Sequence, residues 1–198
     1  MSSSIHEKDN FIWGIKSKVY KFIRALPLIS KILDRENRGI LQLSTYLSKE
    51  KNILDLGSGT GNTAELLKEF NVISTDLNFG MCKISKKVSD IAICCNLLNI
   101  PFQSSSLEAV VAVGVSEYIE DLSLFIKEIK RVLANESLLI MSSSPKSIFS
   151  YLRKVTGNKI FLRDKKDIVG KLEKEGFFLI KSNKIASTQD QYLFKLRK

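Results

Sequence analysis

A chain of 198 residues, 44% of them apolar, is long enough to bury one full core and too apolar to stay unfolded. No apolar run approaches the ~18 residues of a membrane span, and the polar start Met1–Asn10 carries no secretory-signal pattern. Three cysteines (Cys82, Cys94 and Cys95) with no CxxC spacing argue against a disulfide framework or a zinc site, so a cytoplasmic protein without a metal is expected.

The net charge of +10 is unevenly spread, at +4 over residues 1–50, −3 over 51–145 and +9 over 146–198. The basic flanks have two readings. One is a solvated, like-charged surface; the other is attraction to a polyanion or an anionic membrane surface. Phe11–Leu26 interleaves apolar residues with Lys16, Lys18, Lys21 and Arg24, a basic amphipathic helix pattern. Pro27 ends that helix or starts the next one, which spans about 28–47. Two roles are open for the pair: cover over one sheet edge and the mouth of a site, or a helix in a membrane interface with Trp13 inserted.

Asn52–Asn62 is the stretch on which function turns. Ile53 and Leu54 read as a buried parallel strand, and Gly57, Gly59 and Gly61 allow a sharp turn against a ligand. Thr63–Phe70 has helical spacing with Leu66, Leu67 and Phe70 on one face. Strand, glycine loop and helix open a nucleotide-binding α/β sheet. The third glycine comes one residue earlier than in a dinucleotide loop, and no Gly-Lys-Ser/Thr ending makes a P-loop. Asp55 would repel a pyrophosphate, whereas it suits a ligand carrying an ammonium and a sulfonium. Asp55-Leu56-Gly57-Ser58-Gly59-Thr60-Gly61 resembles the first motif of the class I S-adenosylmethionine (SAM) methyltransferases at each defining position. The resemblance implies SAM as cofactor, with Asp55, Gly57, Ser58, Gly59, Thr60 and Gly61 around it.

Val72–Thr75 is the next strand and ends in Asp76, placed to accept both ribose hydroxyls. The family has an acid there, followed by an apolar residue against the adenine, here Leu77. Met81–Val88 reads as a helix and Ile91–Cys95 as a third strand. Cys95-Asn96-Leu97-Leu98-Asn99-Ile100-Pro101-Phe102 resembles a family segment in which an Asp accepts from the adenine amino group. Asn96 stands at that place, and its amide oxygen can still accept. Leu97 and Gly114 complete the cofactor set that the resemblance implies. Leu107–Val113 is an apolar central strand, and Gly114–Asp121 follows at its carboxyl end, where ligands bind in such sheets. Glu117 and Tyr118 are the candidates there for a catalytic base. His6, the lone histidine, is a poor one.

Leu122–Leu133 is a helix whose predicted apolar face is Leu124, Phe125, Ile129, Val132 and Leu133, with Lys127, Glu128, Lys130 and Arg131 mostly outside. Ala134–Ser137 replaces the family's glycine turn, with Asn135 expected in the left-handed conformation. Leu138–Met141 is strand five and Pro145–Val155 a helix beside the substrate cleft. Asp164–Gly176 is a helix stopped by Gly176, and Phe177–Lys181 with Gln191–Lys195 forms a closing hairpin.

The expected architecture is α/β: a Rossmann-like, doubly wound sheet of about seven strands, mostly parallel with an antiparallel last strand, plus an N-terminal helical cover. One domain is expected over 1–198, made of the cover (1–50), the SAM-binding core (51–145) and a basic part completing the sheet (146–198). The resemblance implies methyl transfer to a small molecule, as in quinone-precursor and phospholipid methylases. A lipid- or quinone-like acceptor and peripheral contact with an anionic membrane fit the basic flanks. Two alternatives stand beside it: an RNA-binding or RNA-modifying methyltransferase, using Lys159, Arg163, Lys165, Lys166, Lys171, Lys174, Lys181 and Lys184 against phosphates, or a SAM-binding protein without catalysis. The sequence leaves the oligomeric state open.

Overall fold

The structure, a computed structural model, describes residues 27–146, 159–185 and 188–198. The basic Phe11–Leu26 stretch and nearly all of the helix expected over Pro145–Val155 lie outside the described residues. The elements are α1 (Pro27–Ser44), β1 (Asn52–Leu56), α2 (Asn62–Leu66), β2 (Asn71–Asp76), α3 (Phe79–Ser85), β3 (Ile91–Cys94) and β4 (Leu107–Ala112). A 3-10 turn (Ser116–Tyr118), α4 (Leu122–Val132), β5 (Leu133–Ser143), α5 (Lys165–Lys174), β6 (Phe177–Ile185) and β7 (Gln189–Leu196) follow. The strands form one sheet in the order β3-β2-β1-β4-β5-β7-β6. β7 alone runs antiparallel to its neighbours, as expected for a mostly parallel sheet that closes on a hairpin.

Strict alternation along the central strands divides the core between the two faces. Leu54, Val110, Ala112, Leu139, Met141, Tyr192 and Phe194 face Phe125, Ile126 and Ile129 of α4 and Ile168 and Leu172 of α5. Ile53, Ala109, Val111, Ile140 and Leu193 face Ile40 and Leu43 of α1, together with Ala64 and Leu67. A parallel sheet with both faces covered needs such near-continuous apolar strands. α1 therefore packs on a sheet face, reaching from β5 across β7 to the edge strand β6. Pro27 starts it, as a proline at a first helical position does.

Several boundaries differ from expectation for local reasons. α2 stops at Leu66, because Phe70 N–H must turn onto Leu67 O (2.9 Å) before β2 begins at Asn71. α3 starts two residues early because Asn78 caps it, accepting from Met81 N–H at 3.1 Å. In α4 the buried stripe is Leu122, Phe125, Ile126, Ile129 and Val132; Leu124 points outward, 46% exposed, one helical step off that stripe. Glu128 is not on the outside either. Its carboxylate accepts Ile100 N–H (2.6 Å) and a two-point contact from Arg131, which also donates to Ile100 O and Phe102 O at 2.8 Å. This clamp fixes the Ile-Pro-Phe loop to the helix. Glu136, not Asn135, takes the left-handed conformation (φ 62°), while Asn135 Oδ1 accepts the Lys198 N–H at 2.9 Å.

Gly176 ends α5 at φ 90°, and a Cβ there would lie 2.8 Å from Arg197 O. Gly170, inside the same helix, has open space where its Cβ would be. Gly176→Ala is expected to cost about 1–2 kcal/mol from left-handed strain alone, and Gly170→Ala to gain about 0.5–1 kcal/mol. Urea unfolding at constant m measures both; shifts of the same sign would contradict this account of the helix end.

Candidate cofactor site

Three loops meet at the carboxyl end of β1. A Cβ on Gly57 would sit 2.5 Å from Val115 Cγ2 and 3.7 Å from Leu97 Cδ1, so Gly57 is where the loops after β1, β3 and β4 touch. Gly57, Gly59 and Gly61 all have positive φ, at 72°, 54° and 86°. Gly61 is packed as tightly as Gly57, its Cβ position lying 2.5 Å from Val88 Cγ2. Gly59 differs, since among the described residues nothing lies within 4 Å of its Cβ position. The middle glycine thus presents bare backbone to open space, a cradle that a side chain would fill.

Two carboxylates floor this cradle. Asp55, in β1, is 1% exposed, and its Oδ2 has no hydrogen-bond partner among the described residues. Burial, helped by the nearby charge of Asp76, pushes its carboxyl up to about 8. Asp76, at the end of β2, accepts Gly59 N–H on Oδ2 (2.9 Å) and Asn78 N–H on Oδ1 (2.8 Å). Burial raises it too, against the pull of those backbone donors. Neither carboxylate owes its shift to a cation. Ser58 donates its backbone N–H to Thr75 O at 2.9 Å, and its buried Oγ has no partner. Thr60 Oγ1 accepts from Asn62 Nδ2 at 3.1 Å.

The other sequence candidates surround this floor. Leu77 is 70% exposed just past Asp76 and offers bare apolar surface. Leu97 is buried against Gly57. Asn96 is exposed, and its Oδ1 already accepts Leu98 N–H at 2.9 Å, leaving the second lone pair of that oxygen. Gly114 (φ 68°) donates N–H to Ser142 Oγ at 2.8 Å and, like Gly59, has open space at its Cβ position. Glu117 and Tyr118 share the 3-10 turn but point apart. Glu117 is 2% exposed and accepts from Ser144 Oγ (3.0 Å), whereas Tyr118 is 42% exposed.

Two groups escaped sequence reasoning. Ser142 and Ser143 end β5, Ser144 follows it, and the three bond to Gly114, Tyr192 and Glu117 respectively. Their signal was visible, since a strand that had been apolar ends in three consecutive serines. Arg163 donates to the carbonyls of Ser116 (2.7 Å), Ile119 (2.6 Å) and Glu120 (3.0 Å) and is 9% exposed. It ties down the loop after β4, so its place in a phosphate-binding surface is corrected: its donors are spent inside the protein. No local pattern marks such a residue.

Comparison with known proteins agrees with this geometry. The family described as "Methyltransferase domain" matches residues 54–141. An uncharacterized protein of Methanocaldococcus jannaschii is 29% identical over 149 residues, 73% of this chain and 64% of its own length. A malonyl-[acyl-carrier protein] O-methyltransferase of Gallionella capsiferriformans is 30% identical over 131 residues, 58% of this chain and 45% of its own length. The chain thus spans from under half to under two thirds of these relatives. Among solved structures, the magnesium protoporphyrin IX methyltransferase of Synechocystis, with bound S-adenosylhomocysteine, superposes with a TM-score of 0.76 at 14% identity, over 99% of this chain and 100% of that one. Strand order, glycine loop and comparisons agree: residues 54–141 match the methyltransferase-domain family, and the chain shares the fold of a solved methyltransferase.

Proposed function

We propose that the protein transfers the methyl group of SAM to a small-molecule acceptor. The observation that carries this reading is the bare Gly59 backbone above two carboxylates that no cation among the described residues neutralises. That floor suits a ligand with an adenosine body and a cationic amino-acid end, and it opposes a pyrophosphate. In this reading Asp55 faces the ammonium, and Asp76 takes the ribose hydroxyls with the lone pairs left by Gly59 and Asn78. Leu77 covers one adenine face, and Asn96 accepts from the adenine amino group on its second lone pair. Ser58, Thr60, Gly57, Gly61, Leu97 and Gly114 shape the walls.

Bound there, SAM supplies an electrophilic methyl group on sulfur. The chain's task is to orient the acceptor in line with that carbon–sulfur bond and exclude water, which is proximity catalysis. Tyr118, exposed on the turn after β4, is the candidate to meet the acceptor or take its proton. Glu117, buried against Ser144, orients that turn from beneath.

A small or carrier-borne acceptor is favoured over nucleic acid for two reasons. The chain contains no Asn/Asp-Pro-Pro-Tyr/Phe segment for gripping a flipped base amine. A relative with an assigned reaction is named for methylating a malonyl group on a carrier protein. Of the basic residues read as a phosphate surface, Arg163 is internal, Lys159 is paired with Glu120 and Lys171 with Asp167. A lipid- or quinone-like acceptor, and contact of the basic N-terminal stretch with anionic membrane, extend the same reading. No helix among the described residues is long and apolar enough to cross a membrane. Flotation with anionic liposomes at low salt tests the surface contact, and absence of binding would remove it.

Asp76→Ala removes charge-assisted bonds worth about 1.5–3 kcal/mol each, so SAM affinity should fall by at least about tenfold. An unchanged Kd in calorimetric titration would refute the ribose assignment. Gly59→Val should abolish SAM binding while leaving the overall circular dichroism spectrum intact, because the side chain fills the cradle and strains its left-handed backbone. SAM binding that survives this change would place the cofactor elsewhere.

A further inference from the structure

Asp55 is the charged group of the site that the cofactor reading does not fully explain. It is buried to 1% exposure, one oxygen has no partner, and its strand neighbours are uncharged: Ser74 on β2 and Val111 on β4. The charged group that acts on it is Asp76, a second carboxylate, which in turn acts on the thiols of Cys82 and Cys95. A carboxylate sealed from water, beside a like charge and without a cation, cannot hold its own charge cheaply.

We propose that Asp55 stands as a neutral acid in the ligand-free protein and releases its proton to solvent when a cationic amino-acid ligand enters, making it the residue that selects for the ammonium. The inference rests on the cofactor reading above. The proton balance is simple: neutral Asp55 and an ammonium ligand give the ion pair and one proton taken up by buffer. Asp55 ionises only against a cation, so an uncharged adenosine derivative gains nothing from it.

The pH dependence follows with a definite sign. The carboxyl titrates at about 8 in the ligand-free protein. Below that value each binding event releases close to one proton, so affinity rises about tenfold per pH unit between pH 6 and 7. Above it Asp55 is already ionised, the release fades and affinity levels off.

The test is calorimetric titration of the full chain with S-adenosylhomocysteine at pH 7, in phosphate and in Tris, whose ionisation heats differ. Release of close to one proton by the wild type and almost none by Asp55→Asn supports the inference. The affinity gap between the two should also narrow from pH 8 to pH 6. Binding without proton release overturns the inference and leaves the cofactor reading standing; no binding at all overturns both. A second readout needs no ligand. Because the folded-state value is raised above the unfolded one, wild-type Asp55 contributes stability that is lost as pH rises from about 4 towards 8. The Tm advantage of Asp55→Asn should therefore widen from pH 5 to pH 8, and a gap that does not change with pH overturns the neutral acid.

Discussion

Two carboxylates stand at the carboxyl ends of neighbouring parallel strands, and among the described residues no cation accounts for the state of either. The pairing of β1 with β2 sets Asp55 beside Ser74, with Asp76 two residues further along. Both groups are held there by a sheet buried on its two faces, which cannot shift to let water in. Asp76 has a structural task as well: through Gly59 N–H it holds the loop that forms the cradle. The group whose burial is costly therefore also shapes the loop over the proposed cofactor site.

Everything around this pair is a loop tied down from a distance. The Ile100–Phe102 loop is held by Glu128 and Arg131 of α4. The turn after β4 is held from below by Ser142 and Ser144 and from outside by Arg163 and the Phe161 N–H bond to Glu117 O. Gly57 brings three of these loops into contact. Functional loops on a rigid scaffold are the common arrangement in α/β proteins. Here the fastening uses charged side chains turned inward onto carbonyls rather than apolar packing, which keeps polar backbone at the site mouth satisfied.

The scaffold was legible in the sequence because its signals are local. An apolar run through Ile53 and Leu54 ending in glycines two apart, an acid at the end of the second strand and Gly176 before the hairpin each need only neighbouring residues to be read. The seven-stranded mixed sheet and the resemblance to methyltransferases followed from them. What stayed hidden depends on partners far away in the chain. Ser116 and Arg163 lie 47 residues apart, and Ile100 and Glu128 lie 28 apart. A charged side chain read one residue at a time defaults to the surface, which is how Arg163 came to be counted against phosphates and Glu128 as solvated. Leu124 was misread for the opposite reason: an apolar residue in a helix defaults to the core unless the stripe is traced residue by residue. Asn135 offered the right chemistry for a left-handed turn, yet the chain placed that turn at Glu136 and used Asn135 to hold Lys198.

In the proposed reading, a carboxylate floor beneath a bare glycine backbone chooses an adenosine ligand bearing an ammonium over one bearing a diphosphate. Parallel calorimetric titrations with S-adenosylhomocysteine and with NADH, at pH 7.5 and low salt, test it most directly, since the two share adenosine and differ in the charge offered to Asp55. Micromolar binding of S-adenosylhomocysteine with no detectable heat from NADH is the predicted result. NADH binding at equal or higher affinity would contradict it and return the glycine loop to the dinucleotide-binding class.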